Sequence, residues 1–127
     1  MRTAQAALSL PRGERLRRAT EFQAVFQHGT RHERPSFVAL WRPAEGRRVG
    51  FAVSRQLRGA VARNRARRRI REAYRRVRGE MAGDVAVVIV ARPSAATRPF
   101  VELVEDMHRL SEALSTGVRR GRGSTQR

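Results

Sequence analysis

One segment, VARNRARRRIREAYRR at Val61 to Arg76, constrains the fold of this chain more than any other. It holds eight arginines in sixteen residues and a single acid, Glu72. Small and apolar residues nevertheless recur in it at helical spacing, on a sector of the helical wheel about 120° wide. The members of this sector are Ala62, Ala66, Ile70, Ala73, Tyr74 and Val77. The spacing predicts an amphipathic helix over Ala60 to Arg78, with the apolar sector against a core and the arginines outside.

The charge of this helix indicates an anionic partner. Like charges three and four residues apart repel each other, and Glu72 alone offsets the arginines around it. The net charge of the chain is +17, and all 28 of its basic residues are arginine. Guanidinium groups bind phosphate bidentately and stack on bases. We therefore expect a polyanionic partner, and nucleic acid is favoured over a membrane surface. The alternative is that the arginines only form a solvated helix face.

The rest of the composition limits the class of protein. A chain of 127 residues that is 40% hydrophobic fits one domain with a modest core. The absence of cysteine excludes disulfide frameworks, thiolate zinc sites and cysteine nucleophiles. The longest apolar run, Val85 to Ala91, is too short to span a bilayer, and no apolar stretch of signal-peptide length precedes Pro11. We expect a cytoplasmic protein without a membrane partner.

The predicted elements follow the order α–β–β–α–β–α, an α+β sandwich with helices against one small sheet. TEFQAVFQHG predicts a first helix that Thr20 caps and Gly29 closes. PSFVALWRPAEGRRVGFAVSR predicts a β-hairpin with PAEG as its turn, and DVAVVIVARP a central strand. A last helix is predicted from Thr97 to Leu114, with inward positions at Val101, Val104, Leu110 and Leu114. The sequence predicts a flexible basic arm at residues 1–14, the folded domain at residues 15–115 and a disordered Arg/Gly tail at residues 116–127.

Alternation within the predicted hairpin distinguishes two faces of the sheet. Apolar residues alternate at Phe37, Ala39 and Trp41 in the first strand and at Val49, Phe51 and Val53 in the second. The opposite face of the second strand carries the small residues Gly50, Ala52 and Ser54. This face leaves room for a ligand or for a packed helix. Phe22 and Phe26, four residues apart, fit either a core or a platform on which bases stack.

Few residues point to catalysis by the chain itself. A protein nuclease uses clustered carboxylates that hold metal, or a histidine pair for acid–base chemistry. The candidates are Glu102 with Asp106, beside Glu105, and His28 with His32, although Gly29 interrupts the histidine pair. No phosphate-binding glycine loop, Ser–His–Asp arrangement or zinc-ligand spacing is present. The residues therefore favour a binding module over an enzyme with its own active site.

Four segments, in order, resemble the protein subunit of bacterial ribonuclease P. AVARNRARRRIRE resembles the signature helix of that family, whose core is Arg-Asn-Arg followed by further basic residues and an Arg-Glu pair. RLRRATEFQAVFQHGT resembles the family's first helix, VGFAVSR the strand before the signature, and DVAVVIVARP the strand after it. The resemblance covers residues 15 to 114.

The resemblance implies a ribosomal-protein-like fold with a left-handed β–α–β crossover through the arginine helix, against the usual right-handed connection. It also implies that the protein assists a catalytic RNA in removing the 5′ leader of precursor tRNA. In that case the RNA performs the hydrolysis with magnesium ions, which the RNA itself mainly holds. The catalytic RNA would contact Arg63, Asn64, Arg65, Arg67, Arg68, Arg69 and Arg71. The leader would contact Phe22, Phe26, Gly50, Ala52, Ser54 and Arg55. The implied partners are the catalytic RNA and precursor tRNA, with no protein partner evident.

The segment before the signature helix departs from the family pattern. Gln56 stands where a second basic residue is usual, Arg58–Gly59 where Gly–Asn is common, and Ala66 replaces a larger aliphatic residue. We expect a slightly different approach of this loop to RNA. The alternative function is a structural ribosomal or nucleoid-type protein that neutralises phosphates without recognising a leader.

Overall fold

The computed structural model describes the backbone of residues 19–123 and the side chains of residues 20–117. The arm predicted at residues 1–14 lies outside the described residues. Within them, the elements are α1 (Ala19–His28), β1 (Thr30–Glu33), β2 (Phe37–Pro43), β3 (Arg48–Val53), α2 (Ala60–Val77), β4 (Val85–Ala91) and α3 (Phe100–Gly123). Short 3-10 helices follow α2 at Arg78–Glu80 and β4 at Pro93–Ala96. The predicted α+β class is confirmed. In this part of the chain, no helix has the length and apolar character needed to cross a membrane.

The sheet has the strand order β1-β2-β4-β3, so β4 lies in its interior. β4 pairs antiparallel with β2 and parallel with β3. The predicted hairpin is therefore wrong, because β2 and β3 are consecutive in sequence and yet are separated by β4. Alternation specifies the face on which a side chain lies but not the strand that lies beside it. A continuously apolar strand such as β4 is most stable with neighbours on both edges and cover on both faces.

Asp84 holds the connection between β2 and β3 beside the start of β4. Its backbone carbonyl accepts a hydrogen bond from the Ala44 N–H (3.2 Å), and its Oδ1 accepts one from the Gly46 N–H (3.1 Å). Gly46 has a φ of 76°, in the left-handed region where a glycine avoids the strain of a side chain. The PAEG segment therefore passes over the start of β4 instead of closing a hairpin.

The two ends of α1 differ in how well the sequence predicts them. The helix includes Thr20 as its second residue, so Thr20 does not cap it as predicted. The predicted end at Gly29 is confirmed, and the Gly29 N–H donates to the Val25 carbonyl (2.8 Å). A Cβ at Gly29 would overlap that same carbonyl oxygen. Glycine is therefore required here by the close approach of two backbone segments.

β1 is a strand that the sequence analysis does not predict. Thr30–Glu33 pairs antiparallel with β2 at the edge of the sheet, and three of its four side chains are exposed. Its sequence, TRHE, shows no apolar alternation because its backbone joins the sheet while its side chains remain largely in solvent. This edge matters for function, since it places Arg31 beside the cleft described below.

α2 and α3 cover one face of the sheet, and α1 covers part of the other. The predicted register of α2 is confirmed: Ala62 is half-buried, and the buried residues are Ala66, Ile70, Ala73, Tyr74 and Val77. They share a core with Val49 and Ile89 of the sheet. On the opposite face, Val25 of α1 packs with Val88 of β4. Because α2 joins two adjacent parallel strands, it forms the expected β–α–β crossover, whose left-handedness stays a prediction.

α3 begins and ends later than predicted. It continues to Gly123, so residues 116–123, which the sequence assigns to a tail, are helical. Of the predicted inward positions, Val104 is half-buried. The prediction that Val101 points inward is wrong, because Val101 is 71% exposed. The buried apolar positions are Leu103, Met107, Leu110 and Leu114. Their spacing of four and three residues defines one helix face, and Val101 lies outside that face.

Candidate nucleic-acid interface

The solvent side of α2 presents four polar side chains that we call the outer face. Asn64, Arg65, Arg68 and Arg71 are all exposed, on the side of the helix away from the buried Ile70. Among the residues whose side chains are described, none forms a hydrogen bond or ion pair with the guanidinium groups of these three arginines. Their positive charges repel each other, and the nearby Glu72 forms its ion pairs with Arg75 and Arg76 instead. An anion bound along the outer face would relieve this repulsion.

The C-terminal part of α2 is better neutralised. The Glu72 carboxylate accepts hydrogen bonds from Arg75 (2.6 Å) and Arg76 (3.4 Å). The hydrogen bond from Arg75 is the main reason that the pKa of Glu72 lies below its usual value. The Arg76 guanidinium also stacks 5.0 Å from the centre of the Phe100 ring. These arginines have internal partners, so the free positive charge of α2 is concentrated on its N-terminal two thirds.

Two arginines predicted to contact RNA turn toward the protein instead of solvent. Arg63 donates from Nη1 to the carbonyls of Ser54 and Leu57, at 2.9 Å each. Arg69 donates from Nη1 to the Ala95 carbonyl (2.7 Å) and from Nη2 to the Arg98 carbonyl (2.6 Å). Both guanidinium groups thus tie α2 to backbone segments of the fold. A third predicted contact, Arg67, is half-buried and reaches Asn64 Oδ1 at 3.4 Å.

A cleft of about 500 Å³ opens between α1 and the sheet, on the face opposite α2. Phe26 is 48% exposed and forms part of its wall. The remaining lining residues are Arg31, Val38, Leu40, Ser54, Arg55, Gln56, Val90 and Arg92. The cleft therefore combines an exposed aromatic ring, an apolar floor from β2 and β4, and three arginines. Such a surface suits a single-stranded nucleic acid, since bases stack on aromatic rings and phosphates pair with guanidinium groups.

Glu33 sets the charge balance of the cleft. Its carboxylate accepts from Arg31 Nε (2.6 Å) and from Arg92 Nη2 (3.1 Å), so it bridges two cleft arginines. The hydrogen bond from Arg31 is the main cause that lowers the pKa of Glu33, and Arg92 adds to it. Within the described side chains, Arg55 forms no such pair. The cleft thus offers one uncompensated guanidinium group and two that share a carboxylate.

The predicted leader-binding residues occupy different depths in this region. Phe26, Ser54 and Arg55 line the cleft. Phe22 is half-buried and packs against the small cluster around Val25. Gly50 is buried and Ala52 half-buried, and neither is among the residues that line the opening. Contact of Phe22, Gly50 and Ala52 with RNA stays a prediction. Sequence reasoning missed Arg31 and Arg92 because each lies where a strand begins or ends, outside any helical or alternating pattern.

Two of the three candidate metal-binding carboxylates have partners within the protein. Asp106 is 5% exposed, and its Oδ2 accepts from the Ser36 N–H (3.0 Å) and hydroxyl (2.6 Å). Its Oδ1 accepts from Arg34 Nε at 3.1 Å. Glu102 pairs with Arg98 (3.1 Å), and Glu105 is exposed. Over the described residues, no three His, Asp or Glu side chains lie close enough together to hold a metal ion.

The two candidate histidines also lack a catalytic arrangement. His28 is exposed at the end of α1, whereas His32 is half-buried in β1. Burial lowers the pKa of His32, and the positive charge of Arg34 lowers it further, with Asp106 acting in the opposite direction. His32 therefore favours its neutral form. The described residues thus present surfaces for binding an anion, and no clustered acid–base pair for hydrolysing one.

Comparison with known proteins identifies the family of the chain. The model of the family described as Ribonuclease P matches residues 10–115. The chain belongs to this family. A ribonuclease P protein component from Chloroflexus aurantiacus is 41% identical over 99 residues, covering 76% of this chain and 73% of the relative. The ribonuclease P protein component from Mycobacterium avium is 35% identical over 116 residues, covering 86% of this chain and 98% of the relative.

Solved structures show the same fold. The ribonuclease P protein from Thermotoga maritima superposes with a TM-score of 0.69 at 27% identity, covering 79% of this chain and 96% of that protein. The ribonuclease P protein from Staphylococcus aureus superposes with a TM-score of 0.61 at 22% identity, covering 80% of this chain and 97% of that protein. Family and fold therefore agree, and they place the chain in tRNA processing as part of a ribonucleoprotein.

Proposed function

We propose that this protein binds the catalytic RNA of ribonuclease P through the outer face of α2 and the 5′ leader of precursor tRNA through the cleft. The observation that carries the proposal is the placement of two separate cationic surfaces on opposite faces of one sheet. One protein can therefore touch two RNA segments at once. The complex would act in the cytoplasm.

The outer face supports binding to a structured RNA. Arg65, Arg68 and Arg71 project from a helix whose opposite side packs in the core. Arginine forks donate two parallel hydrogen bonds to one phosphate, which fixes orientation as well as supplying charge. Because the helix fixes the spacing of these forks, it favours a backbone of defined shape over a flexible strand.

The cleft supports binding to an unpaired strand. Val38, Leu40 and Val90 provide an apolar floor, and the exposed ring of Phe26 provides a surface on which a base can stack. Stacking of this kind tolerates any base, because every base has a π-face. Arg55 at the rim would pair with the phosphates. A leader of arbitrary sequence would therefore be accepted, which suits an activity on many different precursor tRNAs.

Hydrolysis belongs, in this proposal, to the RNA partner. Among the candidate carboxylates, Asp106 is buried in internal contacts and Glu102 pairs with Arg98, and the described residues contain no cluster of three suited to magnesium. Magnesium would be held mainly by RNA phosphates, where such an ion stabilises the charge that develops during phosphodiester cleavage. The protein contributes by holding the substrate against that site and by reducing repulsion between the two RNAs.

Cleavage of a precursor tRNA at low magnesium tests the proposal. A bacterial ribonuclease P RNA alone, this protein alone, and the two together are compared, with mapping of the 5′ end of the product. We expect cleavage at the mature 5′ end in the mixture alone. Failure of the protein to stimulate a well-matched RNA would favour the alternative of a general phosphate-binding protein, and cleavage by purified protein alone would show a missed active site.

Leader recognition is tested with Phe26→Ala in the assembled complex. Loss of one stacked base costs about 1–3 kcal/mol, so affinity for precursor tRNA should fall at least fivefold while affinity for mature tRNA stays unchanged. Val101→Ala is the matched control, since Val101 is also an exposed apolar residue but lies on α3. Equal losses for precursor and mature tRNA would contradict a leader contact by Phe26.

A further inference from the structure

Arg63 makes contacts unlike those of any outer-face arginine. Its side chain reaches back from the first turn of α2 and donates to three backbone carbonyls, those of Leu57 and Ser54 at 2.9 Å and that of Val53 at 3.4 Å. The carbonyls belong to the end of β3 and to the connection that follows it. An arginine suits this role because its planar guanidinium group carries several donors in one fork.

The segment that Arg63 holds is a wall of the cleft. Ser54, Arg55 and Gln56 all line the opening. The Ser54 N–H donates to the Ala91 carbonyl of β4 (2.8 Å), so the wall is anchored to the sheet at its first residue. Beyond that point the remaining bonds are local, from the N–H groups of Gln56 and Leu57 to Ser54 itself. The Leu57 side chain packs against the core, and Arg63 supplies the hydrogen bonds that join this turn to α2.

The position of Arg63 is unfavourable for a cation unless those carbonyls are present. It lies in the first turn of α2, where the helix dipole is positive and cations are destabilised. That turn contains no acidic residue, and the N-cap residue Gly59 provides no side-chain hydrogen bond. The three carbonyls offset this cost by accepting the guanidinium protons. The carbonyl contacts thus stabilise the inward rotamer of Arg63.

We propose that Arg63 is a positioning residue for the leader cleft and not a contact to the catalytic RNA. By fixing the Ser54–Leu57 turn, it holds Arg55 and Gln56 at the distance from Phe26 that an unpaired strand requires. The first arginine of the Arg-Asn-Arg motif would then connect the helix that binds one RNA to the cleft that binds the other. This inference rests on the proposed function of the cleft.

Charge-preserving variants test the inference, because Lys keeps the positive charge but lacks the fork. Arg63→Lys is compared with Arg69→Lys, which disturbs a similar pair of carbonyl contacts on the same helix but away from the cleft. Arg65→Ala is the reference for an outer-face arginine. Three quantities are measured: amide hydrogen exchange of Gln56 and Leu57 in the free protein, affinity for the catalytic RNA, and the precursor-to-mature tRNA affinity ratio of the assembled complex.

For Arg63→Lys we expect exchange at Gln56 and Leu57 to be at least tenfold faster and the precursor-to-mature ratio to fall at least threefold. Its affinity for the catalytic RNA should stay within twofold of the parent. Changes of about this size follow from the loss of one charge-assisted contact. Arg69→Lys should leave both the exchange of these amides and the ratio unchanged, and Arg65→Ala should lower affinity for the catalytic RNA alone.

Three results would overturn the inference. Unchanged exchange in Arg63→Lys would show that Arg63 does not hold the turn. Faster exchange with an unchanged precursor-to-mature ratio would show that the turn does not position the leader. A ratio lowered equally by Arg69→Lys would indicate general destabilisation. A parent complex that does not distinguish precursor from mature tRNA would refute the proposed function of the cleft itself, and the exchange measurement separates that case from failure of the Arg63 contact.

Discussion

Replacement of Arg68 by alanine should reduce RNA binding in a way that depends steeply on salt. Arg68 lies near the middle of the outer face, away from the buried Ile70, and none of the described side chains pairs with it. Its whole guanidinium group is therefore available to one phosphate. Each phosphate contact contributes about 0.7–0.9 to the slope of log affinity against log salt, so Arg68→Ala should lower the magnitude of this slope by that amount.

The slope translates into a measurable difference between two salt concentrations. For a fourfold rise in salt, such as from about 50 mM to about 200 mM, a slope change of about 0.8 corresponds to a factor of about three. The ratio of parent to variant affinity for the catalytic RNA should therefore fall about threefold over this range. Filter binding or fluorescence anisotropy at four or five salt concentrations gives both slopes directly.

An arginine elsewhere on the surface provides the control. Arg109 is exposed on α3 and lies 3.8 Å from Glu112, so Arg109→Ala removes the same formal charge without touching the outer face. Its salt slope should remain that of the parent. If both variants changed the slope equally, RNA binding would follow the net charge of the protein and the outer face would have no special role. An unchanged slope in Arg68→Ala would refute the phosphate contact.

Three further predictions concern stability. Asp106→Ala should lower the free energy of unfolding in urea by about 3 kcal/mol, because it leaves buried donors without an acceptor; a loss below about 1 kcal/mol would contradict this. Gly117→Ala would force a Cβ against the Trp41 ring and should cost about 1–3 kcal/mol, whereas Gly83→Ala, with open space around it, should melt like the parent. The lowered pKa of Glu72 gives stability that is present above its unfolded pKa and lost as pH falls through its folded pKa. Melting temperatures of parent and Glu72→Gln should therefore differ at neutral pH and converge in acid, and a constant difference would count against the ion pair.

The parts of the fold that the sequence predicts well depend on local periodicity. The buried sector of α2 follows from the spacing of Ala66, Ile70 and Ala73, because a helix places residues three and four apart on one side regardless of the remainder of the chain. Strand pairing has no such local rule. The insertion of β4 between β2 and β3 depends on contacts such as those of Asp84 with Ala44 and Gly46, and these join segments about forty residues apart in the sequence.

The cleft, too, can be predicted from the sequence only in part. Alternation in β2 places Val38 and Leu40 on the face opposite Phe37, which is enough to predict an apolar surface there. It does not predict that Arg31 reaches that surface, because β1 is joined to the sheet by its backbone and its side chains carry no apolar pattern. The carboxylate of Glu33, which restrains two of the cleft arginines, lies on the same unpredicted strand.

The arginines of α2 show why a charge-rich motif cannot be assigned residue by residue from its composition. In sequence they are alike, and the resemblance assigns most of them to RNA. In the structure Arg63 and Arg69 lie at the two edges of the buried sector, where a long side chain can reach across to a neighbouring segment. Position on the helical wheel therefore indicates which arginines turn inward, but not which carbonyls receive them. Those carbonyls come from the end of β3 with the connection that follows it, and from the segment between β4 and α3. The fold must therefore form before a guanidinium group at either edge has a partner.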